Sequence, residues 1–131
     1  MLTFVSQMNA NISSAEWEVM DVLWQSAPLT ATEVFATLPA GHGWKPKTVG
    51  TFLTRLVRKG AVTIDKSRRP YRYRPRIDRA ACVAKESDSF LRRVFRGATG
   101  PLLAHFCENA DLSSEELQEI ERLLKARKGS R

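Results

Sequence analysis

Lys47, Thr48, Thr51 and Arg55 have the side chains and spacing to meet the edges of nucleic-acid bases. Lysine and arginine donate to the paired acceptors of guanine, and threonine offers a hydroxyl or a methyl to adenine or thymine. At about 100° per residue, Lys47, Thr51, Thr54, Arg55 and Arg58 fall within one arc of a helix, with Thr48 at its edge. Behind them Val49, Phe52, Leu53, Leu56 and Val57 follow the i, i+3, i+4, i+7, i+8 spacing of one apolar face. A helix that is half core and half cationic hydroxyl surface is built to lie in a duplex groove while its back rests on a domain. The first turns of such a helix reach deepest, so base contact is assigned to Lys47, Thr48 and Thr51, and further along to Arg55.

Charge placement supports the same chemistry. Residues 1–44 contain no Lys or Arg and four acids, whereas residues 45–76 contain eleven Lys or Arg and a single acid, Asp65. That block is the footprint expected for a polyanion. Arg58, Lys59, Arg68, Arg69, Arg72 and Arg74 are expected to hold phosphates, because a flexible cation fits a phosphate anywhere along a duplex. Lys45 and the hydroxyls of Thr30 and Thr32 complete the expected phosphate contacts. Two rival readings exist: a merely solvated face, or a basic surface that docks an acidic protein partner. Gly50 is an oddity on the flank of the exposed face, since mid-helix glycine costs roughly 1 kcal/mol against alanine.

The elements that must position this helix are legible upstream and downstream. Ser13 with Glu16, and Thr30 with Glu33, each form an S/T-x-x-E capping box that opens a helix. Trp17, Met20, Leu23 and Trp24 make the stripe of the first helix, which Pro28 ends. The second is short, with Val34 and Leu38 on one side and Pro39 after it. The third starts at Pro46 and stops at Gly60, a suitable left-handed cap. "AVTID" and "YRYRP" then read as a two-stranded hairpin with a basic tip, Tyr71 and Tyr73 on one face and Arg72 and Arg74 on the other. Three helices and a hairpin are the order of a winged helix-turn-helix. Trp44 is expected to pack where the loop turns into the third helix.

Beyond Asp78 the pattern is helical. "DRAACVAKESDSFLRRVFRG" reads as a long helix, "PLLAHFCEN" as a short one, and "LSSEELQEIERLLKARKGSR" as a final helix capped by Ser113 and Glu116. The last carries only a narrow seam of Leu117, Ile120 and Leu124, the kind that packs against another copy. The expected organisation is a loose tail over 1–11, a winged-helix domain over 12–76 and a helical domain over 77–131. The fold class is mainly α with a small β-hairpin wing.

The stretches "ISSAEWEVMDVLW", "WKPKTVGTFLTRLVRKGAV", "YRYRPRIDR", "ESDSFLRRVFRG" and "DLSSEELQEIERLL" together resemble the penicillinase-repressor family, the BlaI/MecI-type regulators. The resemblance runs over about residues 12–128. It implies a DNA-binding winged helix and a helical domain through which two chains dimerise on a palindromic operator, repressing antibiotic-resistance or stress genes. On that reading Phe90, Leu91, Val94, Phe95, Leu102, Leu103, Phe106, Leu117, Ile120 and Leu124 form the dimer interface. The family's recognition-helix motif corresponds to Pro46, Lys47, Thr48, Thr51 and Arg55. A membrane-bound sensor system that triggers proteolysis in the helical domain is a further implied partner. The family's cleavable Asn-Phe step falls on His105-Phe106 here, so the residue before Phe differs. Copper-responsive relatives end in a CxC-type cluster, which the tail "LLKARKGSR" lacks.

Other function classes find little footing. A hydrophobic content of 43% with 27% charged residues belongs to a globular protein rather than a disordered one. No apolar run reaches the roughly 18 residues of a membrane span, and the first residues lack the basic and apolar regions of an export signal. Cys82 and Cys107 are expected as reduced thiols of a cytoplasmic protein, Cys82 packed among alanines. His105, Cys107 and Glu108 form at most half of a metal site. No catalytic constellation, cofactor or metal is expected.

Overall fold

The computed structural model describes residues 12–129; the expected tail over 1–11 lies outside them. The element order is α1 (Ser14–Ser26), β1 (Leu29–Thr30), α2 (Ala31–Thr37), α3 (Pro46–Lys59), β2 (Val62–Asp65), β3 (Arg72–Pro75), α4 (Arg79–Phe95), α5 (Thr99–Asn109) and α6 (Ser114–Gly129). The chain divides into two compact units, with the boundary in sequence between Ser89 and Phe90. Among the described residues no helix is long and apolar enough to cross a membrane.

In the first unit, local chemistry sets the helix ends. Ser13 caps α1, its hydroxyl accepting from the Glu16 amide at 3.1 Å while the Glu16 carboxylate accepts from the Ser13 amide at 3.0 Å. Thr30 and Glu33 do the same for α2 at 3.1 and 2.8 Å. Pro46 occupies the first turn of α3, where its missing N–H costs nothing. Gly60 ends that helix with φ +85°, a left-handed conformation that a side chain resists.

The wing departs from the expected two-stranded hairpin. The sheet has three antiparallel strands in the order β1-β3-β2. β3 pairs with β2 through Ile64 opposite Tyr73 and Thr63 opposite Arg74, and with β1 through Leu29 opposite Tyr73 and Thr30 opposite Arg72. The two-residue β1 follows Pro28 and ends on Thr30, itself the cap of α2, and is too short to show a period of two.

The core gathers Val19, Met20 and Leu23 of α1, Val34 of α2, and Val49, Leu53 and Leu56 of α3, all fully buried. Val62, Ile77 and Cys82 extend it under the sheet and the start of α4. Each such side chain contributes about 1.5–3 kcal/mol on leaving water. Trp17, Trp24 and Phe52, expected as core, are half-buried and packed on its margin. The Trp24 indole N–H donates to the Ile77 carbonyl at 2.9 Å, which is how an edge tryptophan satisfies its polar atom.

The second unit holds the last turns of α4 together with α5 and α6. None of its described residues is buried. α6 is capped by Ser113 and Glu116, whose mutual hydrogen bonds are 2.9 and 3.0 Å long. Its first turn is acidic and its last turn basic, aligned with the helix dipole.

Candidate nucleic-acid interface

α3 is held by the burial of Val49, Leu53 and Leu56, so its opposite side must face outward. Lys47, Thr51, Thr54, Arg55 and Arg58 are all exposed there. With Gly50 and Tyr73 they line an open groove of about 590 Å³. No acid contributes to its lining. Among the described residues no carboxylate forms an ion pair with Lys47, Arg55 or Arg58, so their charge is directed to solvent. Thr48 is half-buried at the edge of the face.

The threonines offer less than a free hydroxyl. Thr51 Oγ1 donates to the Lys47 carbonyl at 3.1 Å, and Thr54 Oγ1 donates to the Gly50 carbonyl at 3.0 Å. Each hydroxyl hydrogen is therefore engaged by the preceding turn. What remains for a ligand is an oxygen lone pair and a methyl group, suited to an amino group or to another methyl.

The wing carries a second set of cations. Arg68 and Arg69 are exposed at its tip and Arg74 is exposed on β3. Arg69 stacks over the Tyr71 ring at 5.1 Å and Lys66 lies 6.0 Å from the same ring, so the tip is braced by cation–π contact. Arg72 is half-buried, its Nη1 donating to the Pro70 carbonyl at 3.2 Å. Asp65, the lone acid of the basic block, accepts from the Ser67 amide at 2.9 Å. The side-chain and backbone hydrogen bonds of Ser67 hold its carboxyl below the ordinary value. That acid is committed to the turn.

Two of the expected phosphate contacts, Thr30 and Lys59, have partners inside the protein. Thr30 is only 7% exposed and its hydroxyl caps α2, so it positions a helix rather than presenting itself outward. Lys59 turns inward to an ion pair with Glu16, whose side chain is 2% exposed. Burial alone would raise the Glu16 carboxyl. The hydrogen bond from Lys59, the Ser13 amide and the Lys59 charge outweigh it, and the carboxyl sits below its ordinary value. Lys45 and Thr32 remain exposed, as expected.

Behind the site runs an aromatic series. Phe35 and His42, His42 and Trp44, and Trp44 and Phe52 each have ring centroids 5.2 Å apart. The His42 Nδ1 accepts from the Trp44 amide at 2.9 Å, fixing the loop that enters α3. Tyr73 was missed as a groove residue. Its place at the centre of β3 signalled packing, whereas only the fold brings it beside α3.

In the second unit Leu103, Phe106, Leu112, Ile120, Leu123 and Leu124 line an apolar groove of about 410 Å³, together with Cys107 and Ala110. Leu103, Phe106, Ile120 and Leu124 were expected at an interface; Leu123 was not, although the Leu123-Leu124 pair widens the seam. Phe90 and Phe95 pack edge to face at 5.9 Å. Val94, Leu117 and Leu124 are 46–53% exposed. Leu91, Phe95, Leu102 and Ile120 are half-buried. His105 is exposed in the middle of α5, one residue before Phe106. Among the described residues no three His, Cys, Asp or Glu side chains gather as a metal site.

Three helices, a small sheet and a cationic third helix define a winged helix-turn-helix protein. Residues 12–126 match the Penicillinase repressor family, and the chain belongs to that family. It is 38% identical over 117 residues to the penicillinase repressor of Bacillus licheniformis, covering 89% of this chain and 91% of that protein. It is 33% identical over 113 residues to the methicillin resistance regulatory protein MecI of Mammaliicoccus sciuri, covering 86% and 92%. A solution structure of the DNA-binding domain of the repressor BlaI aligns with a TM-score of 0.49 at 38% identity, over 56% of this chain and 93% of that one. Bacillus licheniformis BlaI, solved as a monomeric form in complex with the blaP half-operator, aligns at 0.48 with 40% identity, over 55% and 88%.

Proposed function

We propose that this chain is a sequence-specific DNA-binding transcriptional repressor that acts in the cytoplasm as a dimer on a palindromic operator and performs no catalysis. One observation carries the reading: the exposed face of α3 joins Lys47, Thr51, Thr54, Arg55 and Arg58 along a groove with no acidic lining. Membership of a family named for repressors supports it. Affinity comes mainly from counterion release by the basic block, at a log–log salt slope of about −0.9 per phosphate neutralised. Sequence preference comes from Lys47, Thr48, Thr51 and Arg55. Lys45, Thr32, Arg58, Arg68, Arg69, Arg72 and Arg74 fix register on the backbone.

Dimerisation is supported by the second unit, whose apolar side chains stand half in water. A second copy would cover them, and linkage would then raise the effective concentration at the other half-site. Relief of repression is read as cleavage at His105-Phe106. That bond lies inside α5, so a protease needs the helix locally unwound. An intact chain during induction, seen by mass spectrometry, would rule this switch out.

A gel shift against random and promoter duplexes tests the main reading. Lys47→Ala should change which sequences are preferred, whereas Arg69→Ala should weaken all alike. If neither changes DNA affinity, the basic face serves an acidic protein partner instead.

A further inference from the structure

Gly50 stands in the middle of α3, where glycine destabilises a helix relative to alanine. Among the described residues nothing requires it. A Cβ built at Gly50 meets no atom within 4 Å, and its φ is not left-handed. Alanine would therefore fit the free protein and strengthen the helix. The gap opens on the groove between Lys47, Thr51 and Thr54. The backbone at its floor is already engaged: the Gly50 carbonyl accepts from Thr54 and the Lys47 carbonyl from Thr51.

We propose that the Gly50 gap receives the C5-methyl group of a thymine, making Gly50 a specificity-determining position at which base edge meets helix backbone. This rests on the DNA-binding reading given above. At the floor of the opening the helix carbonyls and threonine hydroxyl hydrogens are paired with one another, so an apolar knob fits there while the exposed Lys47 stands at its rim. Among the four base pairs, the thymine methyl is the apolar group displayed in the major groove. The flanking threonines, whose hydroxyl hydrogens point back to the helix, leave methyl groups to surround it. A methyl on residue 50 would occupy the same space as the thymine methyl.

The test uses the full chain and a random-sequence duplex library. The parent should enrich half-sites with an invariant thymine; Gly50→Ala should melt a few degrees higher yet lose selection at that one position. The enriched duplex is then synthesised with deoxyuridine, which lacks only the methyl, in place of that thymine. The parent should bind it about tenfold more weakly. Gly50→Ala should bind the thymine duplex about tenfold more weakly than the parent and show little or no loss on the uracil duplex, its own methyl filling the gap. Equal affinity of parent and Gly50→Ala for the thymine duplex, with the same selected sequences, would overturn the proposal and leave the repressor reading standing. A parent chain that enriches no sequence would remove both.

Discussion

The apolar residues of α3 and α6 follow the same helical logic and meet opposite fates. Val49, Leu53 and Leu56 are 0% exposed, whereas Leu117, Leu123 and Leu124 are 46–52% exposed. The first set is covered from three sides, by α1, by α2 and by the sheet. Among the described residues the second shares an open apolar groove with α5. Each leucine left half in water forgoes much of the about 1.5–3 kcal/mol that full burial supplies. One unit thus completes its own core and turns its charge outward. The other leaves its core half-made, and a second chain is the proposed completion.

This contrast can be broken most forcefully in the core. Leu53→Ala should cost about 2–5 kcal/mol, read as a lower urea midpoint for the first unit that does not depend on protein concentration. Leu124→Ala should instead weaken self-association, read as a sedimentation profile that shifts with dilution. If Leu53→Ala behaved like Leu124→Ala, the distinction between the units would fail.

Next in size is the Lys59–Glu16 pair. Lys59→Met leaves a buried carboxylate unpaired, at a cost of about 3 kcal/mol. Glu16 has its folded-state value below its ordinary 4.5, so its stabilisation is present above the ordinary value and is lost as pH falls through the lowered one. Removing Lys59 should move acid unfolding to higher pH. Because Lys59 faces inward, the salt slope of DNA binding should stay unchanged. A slope reduced by about 0.9 would restore Lys59 as a phosphate contact.

Smaller effects sharpen the outward face. Arg55→Ala should cost about 1–3 kcal/mol of discrimination at one base pair, scored by competition between matched and mismatched duplexes. Arg69→Ala should spare discrimination and flatten the salt slope by about 0.9. The mildest contrast is thiol reactivity. Burial pushes the Cys82 thiol up to about 11, while Cys107 is exposed. Alkylation at mildly basic pH should label Cys82 only after unfolding, and Cys107 in the folded chain once dilution separates the copies, by peptide mass analysis.

Local signals explain why so much was readable in advance. The capping pairs Ser13/Glu16, Thr30/Glu33 and Ser113/Glu116, Pro46 and Gly60 each act within a few residues. They set helix ends whatever the tertiary fold does. The exposed face of α3 followed from period alone. Interactions that cross the chain were illegible. Lys59 resembles its basic neighbours until Glu16, 43 residues away, claims it. Thr30 reads equally as a surface hydroxyl and as a cap, and burial decides for the cap. β1 and the groove position of Tyr73 exist only because β3 pairs on both sides. Leu123 falls off the strict seam and joins it only through the α5–α6 groove.

Amide-shift mapping on the full chain, titrated with an enriched duplex, examines the central claim at residue level. The expected result is perturbation concentrated at Lys47, Thr51 and Arg55 of α3 and at Arg68 to Arg72 of the wing, with the acidic surface of α1 silent. Shifts confined to α1, or a wing and third helix untouched at saturating duplex, would contradict it.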